Sequence, residues 1–184
     1  GVGLINNLTK PLNHILKKDQ SYLILIGKTF GHLEQSCFLK ENYSITEGKP
    51  PEINLNNEKN NGEAVFELIN KNLVLSAHDV SNGGLIVALS EMSINSDFGV
   101  KIKKPKYLRN LSEYFFGEDQ GRYIVEIDPK NLSKVEKILR DNLVHFEKIG
   151  KVTEENIQID KEPILHIDEL IKSNKDWLKG YMDK

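Results

Sequence analysis

The 184-residue chain is poor in the features that mark several classes of protein. It holds one cysteine, Cys37, which excludes an internal disulfide and a cysteine-rich zinc site. Its formal net charge is −2, so the sequence lacks the positive charge typical of a nucleic-acid-binding domain. No apolar run approaches the roughly 18 residues of a membrane span, and no secretory signal is visible. We therefore expect neither nucleic acid nor a membrane as a partner, and a cytoplasmic location.

The composition that remains is that of an ordinary globular protein, with 39% apolar and 28% charged residues. The length fits one large domain, and we expect residues 1–184 to form a single one. The chain starts at Gly1 rather than at a methionine, and residues 1–5 resemble the middle of a longer sequence. We expect a piece of a larger protein, in which residues 1–18 are a lead-in segment from a preceding domain.

Apolar periodicity predicts strands that alternate with helices. Strands are predicted at 22–27, 73–75, 98–103, 122–127, 146–152 and 156–159. Helices are predicted within 29–39, at 65–71, 85–92 and 107–116, from 128 to 139, and from 167 to 178. Residues 48–62 are predicted to be an exposed loop. This order favours a sheet with helices packed against it, and the short polar strands favour a mixed sheet over a purely parallel one.

A glycine-rich turn separates the predicted strand at 73–75 from the predicted helix at 85–92. It contains His78, Asp79, Ser81, Asn82, Gly83 and Gly84. Two glycines allow a sharp turn, and free amides at a helix start attract anions, phosphate especially. Asp79 could bind a metal or brace the turn, and His78 could meet a phosphate or cap the strand. We expect these two neighbours to diverge, because side chains alternate along a strand. A purely structural turn is the alternative.

A second polar cluster precedes the predicted strand at 122–127. It consists of Glu118, Asp119, Gln120 and Arg122. Gln120 can donate and accept hydrogen bonds, and Arg122 can hold a phosphate or a carboxylate in a fork. The alternative is a polar loop with a surface ion pair of little energetic weight.

Other chemistry-bearing residues give weaker signals. Lys101, Lys103, Lys104 and Lys106 form a local basic cluster, which we interpret as a solvated strand end. His14, His32, His145 and His166 lack the spacing of metal ligands, and Cys37 lies in no nucleophile motif. The sequence holds no P-loop, dinucleotide fingerprint or serine-centred elbow.

The two polar clusters together resemble signatures of one enzyme family. Residues 76–85 closely resemble the His-Asp-Val-Ser-Asp-Gly-Gly-Leu motif of phosphoribosylformylglycinamidine synthase, in the synthetase subunit of purine biosynthesis. Residues 116–122 are similar to its second signature, and residues 148–153 to its Ile-Gly-x-Val-Thr. Residues 1–5 resemble the junction that ends its preceding domain. These matches cover nearly the whole chain in order.

The resemblance implies a fold and a reaction. The fold is α/β, with three α/β/α layers and a mixed sheet like the C-terminal domain of AIR synthetase, here in the second half of a duplicated synthetase. The family uses ATP and Mg²⁺ to convert formylglycinamide ribonucleotide into its amidine. ATP activates the formamide oxygen, and glutamine-derived ammonia displaces phosphate. Aminoimidazole ribonucleotide synthetase, selenophosphate synthetase and a hydrogenase maturation factor share the domain but have different turns.

The resemblance also implies partners and a division of labour. The partners are the N-terminal domains of the same chain, a glutaminase subunit and a small bridging subunit. In that family, the catalytic histidine, most metal ligands and the ATP contacts lie in other domains of the synthetase. We therefore expect no catalytic residue and no metal ligand here, and an isolated fragment that is inactive. A scaffold or docking module is the alternative, as is a domain of a related synthetase.

The resemblance gives ten candidates for residues that face substrate or nucleotide. They are His78, Asp79, Ser81, Asn82, Gly83, Gly84, Glu118, Asp119, Gln120 and Arg122, and we expect them to meet at one edge of the sheet. Two departures bear on this expectation. Asn82 stands where the family motif has Asp, which argues against a metal there. Residues 34–36 stand where Gly-Gly-Ser is usual, which argues against a loop that cradles phosphate.

Overall fold

A computed structural model of the chain describes residues 12–105, 107 and 110–182, so residues 1–11 of the lead-in lie outside the described part. The strands of these residues form one sheet in the order β2-β4-β1-β5-β3-β6. They are β1 (Tyr22–Ile26), β2 (Ser76–Val80), β3 (Gly99–Ile102), β4 (Arg122–Ile127), β5 (Phe146–Thr153) and β6 (Gln158–Ile159). β3 and β6 run parallel, and the other neighbouring strands run antiparallel. The predicted mixed sheet is confirmed, with antiparallel pairing dominant.

Helices pack on both faces of this sheet. They are α1 (Cys37–Tyr43), α2 (Leu55–Asn70), α3 (Gly84–Ile94), α4 (Leu111–Phe116), α5 (Leu132–Asp141) and α6 (Ile167–Met182). On one face, α2 and α5 cover Ile24, Ile26 and the neighbouring residues of β4. On the other face, α3 and α4 cover Leu23 and Leu25. Successive side chains of a strand point to opposite faces, so β1 contributes to both cores. The predicted three-layer α/β/α architecture is confirmed.

Several predicted elements match the structure closely. The central strand β1, the strand β4 and the helix α3 all appear where apolar runs predicted them. Asp128 caps the chain before α5 by accepting a hydrogen bond from the amide of Lys130, after which a short 3₁₀ turn at Pro129–Asn131 leads into the helix. Among the described residues, no helix is both long and apolar enough to cross a membrane.

The predicted strand at 73–75 is wrong by several residues. Leu73 instead packs into the core beneath α2, and its amide bonds the carbonyl of Leu68 to close that helix. The strand is β2, Ser76–Val80, which lies at an end of the sheet and is half-polar. A strand with one neighbour needs no continuous apolar run, which is why its sequence gave little signal. His78 and Asp79 therefore belong to a strand rather than to the turn.

Two further expectations need correction. The loop predicted at 48–62 ends early, because α2 begins at Leu55 with the side chain of Asn54 as its cap. The first turns of α2 are polar and largely exposed, so they lack apolar periodicity. The helix predicted from 167 to 178 continues to Met182 as α6. Ile167 and Leu170 pack against the core. Trp177 and Leu178 are 66% and 57% exposed.

A buried carboxylate fastens the described part of the lead-in to the sheet. Glu126 on β4 is fully buried and accepts four hydrogen bonds. Two come from the backbone amides of Lys17 and Lys18, each at 3.0 Å. The other two come from the hydroxyls of Ser21 and Ser76, each at 2.7 Å. A buried carboxylate is tolerated when its oxygens are saturated by donors, and here those donors belong to two separate segments, residues 17–21 and β2.

We predict that Glu126→Gln lowers the free energy of unfolding by roughly 2–4 kcal/mol, because the amide has one acceptor oxygen and leaves buried donors without a partner. Urea denaturation of the 184-residue chain measures this loss. The exposed Glu52→Gln makes the same chemical change and should stay within about 0.5 kcal/mol of the unmodified chain. Equal stabilities for the two variants would show that the four hydrogen bonds contribute nothing net.

Candidate functional site

The pairing of β2 with β4 brings the two polar clusters together. Val80 lies opposite Arg122 and Asp79 lies opposite Tyr123 in this antiparallel pair. The turn that follows β2 and the loop that precedes β4 are therefore at the same end of the sheet, as we expected. A cavity of about 410 Å³ lies between them. Six of the ten candidates line it, namely Asp79, Ser81, Asn82, Glu118, Gln120 and Arg122.

The glycine pair shapes the start of α3. Gly83 and Gly84 have φ of +80° and +72°, a backbone region that residues with a Cβ rarely adopt. A Cβ on Gly84 would lie 2.7 Å from the carbonyl oxygen of Gly117. The two glycines therefore let the helix start lie directly against the backbone of the second cluster, and they serve the packing of the site rather than its lining.

Glu118 occupies the helix start that we expected to be open to a ligand. Its Oε1 accepts hydrogen bonds from the amides of Gly83 and Cys37, both at 2.8 Å. The amide of Gly84 is bonded in turn to the carbonyl of Ser81 at 3.0 Å. One carboxylate oxygen thus serves the N-terminal ends of both α3 and α1, where negative charge is favourable. The expectation of open amides at the glycine turn is wrong, because the protein supplies its own anion.

Asp119 is buried and faces a different loop. Its Oδ2 accepts hydrogen bonds from the amides of Phe30 and Gly31, both at 2.9 Å, and its Oδ1 accepts one from the amide of His32 at 3.2 Å. Successive backbone amides that converge on one point form an anion-binding site in many proteins, and here three consecutive amides converge on one carboxylate. Asp119 therefore acts as an internal anion for the segment that follows β1.

Arg122 is also used internally, at 1% exposure. Its guanidinium donates to the carbonyls of Gly117 and Asp119 and to the hydroxyl of Thr29. Burial lowers the pKa of Arg122, and the charge of Asp119, 3.9 Å away, opposes that effect. A guanidinium with these partners is poorly placed to hold a ligand phosphate in a fork.

His78 and Asp79 do not diverge as expected. Nδ1 of His78 lies 3.3 Å from Oδ1 of Asp79, and Nε2 lies 3.0 Å from Oε2 of Glu91 on α3. The His78 ring also stacks obliquely near His14, with 5.1 Å between ring centroids. These contacts place His78 beside α3 and away from the cavity, which Asp79 alone of the pair lines. Because β2 lies at the end of the sheet, its side chains have room to bend toward each other.

The sequence missed four residues that line the cavity: Glu34, Gln35, Glu58 and Tyr123. Burial, followed by the charges of Glu58 and Asp79, raises the pKa of Tyr123, so its phenol stays protonated and can donate a hydrogen bond. Glu34 and Gln35 stand where the resemblance places Gly-Gly, and Glu58 comes from a segment that showed no motif. A polar lining residue on an otherwise exposed helix turn carries no signal of its own in the sequence.

The resulting cavity is acidic. Carboxylates from Glu34, Glu58 and Asp79 line it, while the guanidinium of Arg122 is already hydrogen-bonded within the protein. Among described residues, no group of three or more histidine, cysteine or acidic side chains is arranged to hold a metal ion. Burial, and then the charge of Glu118, raises the pKa of the Cys37 thiol, which disfavours a thiolate nucleophile. A ligand phosphate in this cavity would meet carboxylates rather than a free guanidinium.

Comparison with known proteins identifies a family. Residues 20–160 match the family described as AIR synthase related protein, C-terminal domain. Phosphoribosylformylglycinamidine synthase subunit PurL of Pelagibacter ubique (strain HTCC1062) is 50% identical over 183 residues, which is 100% of this chain and 25% of that protein. The same subunit of Bartonella bacilliformis is 33% identical over 182 residues, again 25% of its length. The chain thus spans about a quarter of the length of these relatives.

Solved structures show the same fold. The PurL protein of Thermotoga maritima complexed with FGAR superimposes with a TM-score of 0.69 at 19% identity, over 87% of this chain and 29% of that one. The PurLQS structure from the same organism gives a TM-score of 0.64 at 20% identity, over 87% of this chain and 27% of that one. The resemblance read from the sequence is confirmed, and the chain belongs to the AIR synthase related family, whose C-terminal domain it contains.

Proposed function

We propose that this chain is the C-terminal domain of the second half of a phosphoribosylformylglycinamidine synthase. The 50% identity over 183 residues to a PurL subunit carries the proposal, because identity this high extends across the full chain. The parent protein is then an ATP-dependent ligase that forms a C–N bond. It converts formylglycinamide ribonucleotide, glutamine-derived ammonia and ATP into formylglycinamidine ribonucleotide, ADP and phosphate. A requirement for Mg²⁺ and a cytoplasmic location belong to the same proposal.

The partners of the parent protein follow from the proposal. They are the N-terminal domains of the same polypeptide, a glutaminase subunit that supplies ammonia, and a small bridging subunit. The PurL protein of Thermotoga maritima has been solved complexed with FGAR and complexed with ATP, which supports a ribonucleotide substrate and ATP for the parent. This chain covers a quarter of such a protein, so other parts of the parent would share the contacts with those ligands.

Within that parent, the candidates divide into a frame and a rim. Glu118, Asp119 and Arg122 form the frame, because their polar atoms bond the backbone of the turn and the loops. Ser81, Asn82 and Gln120 form the rim, because they are exposed at the mouth of the cavity. Rim hydroxyls and amides can orient a nucleotide or ribonucleotide held by other domains, but they supply neither a base nor a nucleophile.

A scaffold is the second candidate function, and a specific observation favours it. Both carboxylates and the guanidinium of the second cluster are engaged inside the protein. A domain whose charged groups hold its own loops together presents a rigid surface on which other domains can dock. In this case the rim would contact protein rather than a ligand.

We predict that a chimera of Pelagibacter ubique PurL, with its matching quarter replaced by this chain, forms formylglycinamidine ribonucleotide when formylglycinamide ribonucleotide, ATP, Mg²⁺ and ammonia are supplied. A folded but inactive chimera would contradict the proposed function. The variant Asn82→Ala/Gln120→Ala then separates the two roles. A rim that orients ligand should lose about tenfold or more in kcat/KM, whereas a scaffold should lose little. Glu52→Ala/Lys172→Ala, at exposed positions elsewhere, is the control.

The isolated chain is predicted to hydrolyse no ATP above the background of the buffer, with or without Mg²⁺. The physical reason is that the cavity lacks a free cation to balance the charge developing on a transferred phosphoryl group. Phosphate release is measured with purified chain, and Asp79→Asn is prepared in parallel. Hydrolysis that is proportional to the chain concentration and is lost in Asp79→Asn would overturn this prediction.

The frame is tested by a graded pair of substitutions. Glu118→Ala removes the acceptor for two helix-start amides and should lower the free energy of unfolding by roughly 2–4 kcal/mol. Glu118→Gln keeps one acceptor oxygen and should cost about 1 kcal/mol. The neighbouring, exposed Gln120→Ala is the matched control and should change stability by less than about 0.5 kcal/mol. If Glu118→Ala proves as stable as the control, Glu118 is not part of the frame.

A further inference from the structure

Two pairs of lysines that are far apart in the sequence share one open area of the sheet. Lys101 and Lys103 come from β3 and the residues just after it, and Lys148 and Lys151 come from β5. All four line a hollow of about 890 Å³. We call this area the lysine face. It lies at the β5–β3 end of the sheet, whereas the cavity of the glycine turn lies at the β2–β4 end.

The strand register places the lysine face on the same side of the sheet as α2 and α5. Lys101 is directly opposite Lys151, and Lys151 is directly opposite Tyr22 on the central strand β1. Directly opposed residues point to the same face. Tyr22 shares its side of β1 with Ile24, which α2 and α5 cover. The two helices stop short of this area, and the lysine side chains are exposed or half-buried.

The arrangement brings like charges close together, and none of the four lysines forms an ion pair within the described residues. The ammonium groups of Lys148 and Lys151 lie 4.7 and 5.1 Å from the centroid of the Tyr22 ring, so two cations share one aromatic ring. Ion pairs within the described residues involve other lysines, such as Lys18, Lys104 and Lys137, and none of the four on this face. Like charges directly opposite each other on a sheet are destabilising. The fold therefore carries an unfavourable interaction that a bound anion would relieve.

The rim of the hollow limits the size of that anion. Asp19, Glu154 and Glu155 line the hollow together with the lysines. An extended polyanion, such as a nucleic acid or an acidic polypeptide, would have to cross these carboxylates and would be repelled by them. A compact anion would cover a smaller part of the lining, so it can contact ammonium groups with less repulsion from the three carboxylates. Gln20, Tyr22 and Thr153 add neutral hydrogen-bonding groups to the same lining.

We propose that the lysine face is a binding site for a compact anion that carries two or more phosphate groups. Lysine presents a point charge with three donors, which suits phosphate oxygens arriving from several directions. Several ammonium groups around one ligand favour multivalent over monovalent phosphate. Neither a P-loop nor a helix start is needed, because side-chain ammonium groups provide both the charge and the donors.

Isothermal titration of the 184-residue chain with inorganic tripolyphosphate, at low ionic strength and without divalent metal, tests the proposal. We expect one binding site whose affinity falls as salt rises. Lys101→Glu should weaken binding by about tenfold or more, since it removes one positive charge and adds a negative one in the hollow. Lys172→Glu makes the same charge change on the exposed side of α6 and should stay within about twofold of the unmodified chain.

The midpoint of urea denaturation provides a second measurement, which distinguishes a binding role of the lysines from a structural role. Lys101→Glu faces Lys151 across the strands, so it replaces a repulsive pair with an attractive one. The midpoint of urea denaturation should therefore hold or rise while tripolyphosphate binding falls. A fall in stability would instead show that the lysines support the fold, and it would overturn the proposal.

Further outcomes separate the kinds of ligand. Equal binding of ATP and tripolyphosphate would support recognition of the phosphates, and tighter binding of ATP would support a nucleotide as the source of those phosphates. A glutamate-rich peptide that binds more tightly than tripolyphosphate would overturn the proposal in favour of a protein partner. Absence of binding at millimolar tripolyphosphate, or equal weakening by Lys101→Glu and Lys172→Glu, would overturn it as well.

Discussion

The hydrogen bonds of two adjacent carboxylates to backbone amides are the constraint on which the candidate site depends. Glu118 binds the starts of α1 and α3, and Asp119 binds three successive amides after β1. Each carboxylate holds segments that are distant in sequence, so the loop before β4 fixes both the glycine turn and the segment after β1. The guanidinium of Arg122 completes the arrangement by donating hydrogen bonds to two carbonyls of the same loop. The site is built around internal anions, and its shape follows from them.

Much of the fold could be predicted from the sequence where burial on both faces leaves a continuous apolar run. β1 and α3 are such elements, and both appeared as predicted. β2 was misplaced because a strand at the end of a sheet needs few apolar residues, so Leu73, which packs under α2, gave the stronger signal. The start of α2 was missed for a related reason. Its first turns face water and are held by the cap at Asn54 rather than by an apolar stripe.

The site was predictable in its position but not in the direction of its side chains. The resemblance led us to expect residues 81–84 beside residues 116–122, and the pairing of β2 with β4 brings them together. The direction of Glu118 and Asp119 depends on which backbone amides the fold leaves unpaired nearby, and a sequence motif does not encode that. Similarly, Glu58 lines the cavity from α2, and one turn later the side-chain amide of Asn61 donates a hydrogen bond to the carbonyl of Gly121. Such contacts between distant segments can be identified from the structure but not from the sequence.

The treatment of charge differs between the two ends of the sheet, and this difference bears on where ligands can bind. At the β2–β4 end, the conspicuous charges already have partners within the protein, so the motif that looks most like a ligand site has little charge left to offer. At the β5–β3 end, four lysines have no such partners among the described residues, although Lys101 and Lys151 are directly opposed. The sequence showed only the half formed by Lys101 and Lys103, within a local basic cluster, because Lys148 and Lys151 lie far along the chain from them. The positive charge that the fold leaves without an ion-pair partner thus lies away from the recognisable turn, toward the other end of the sheet.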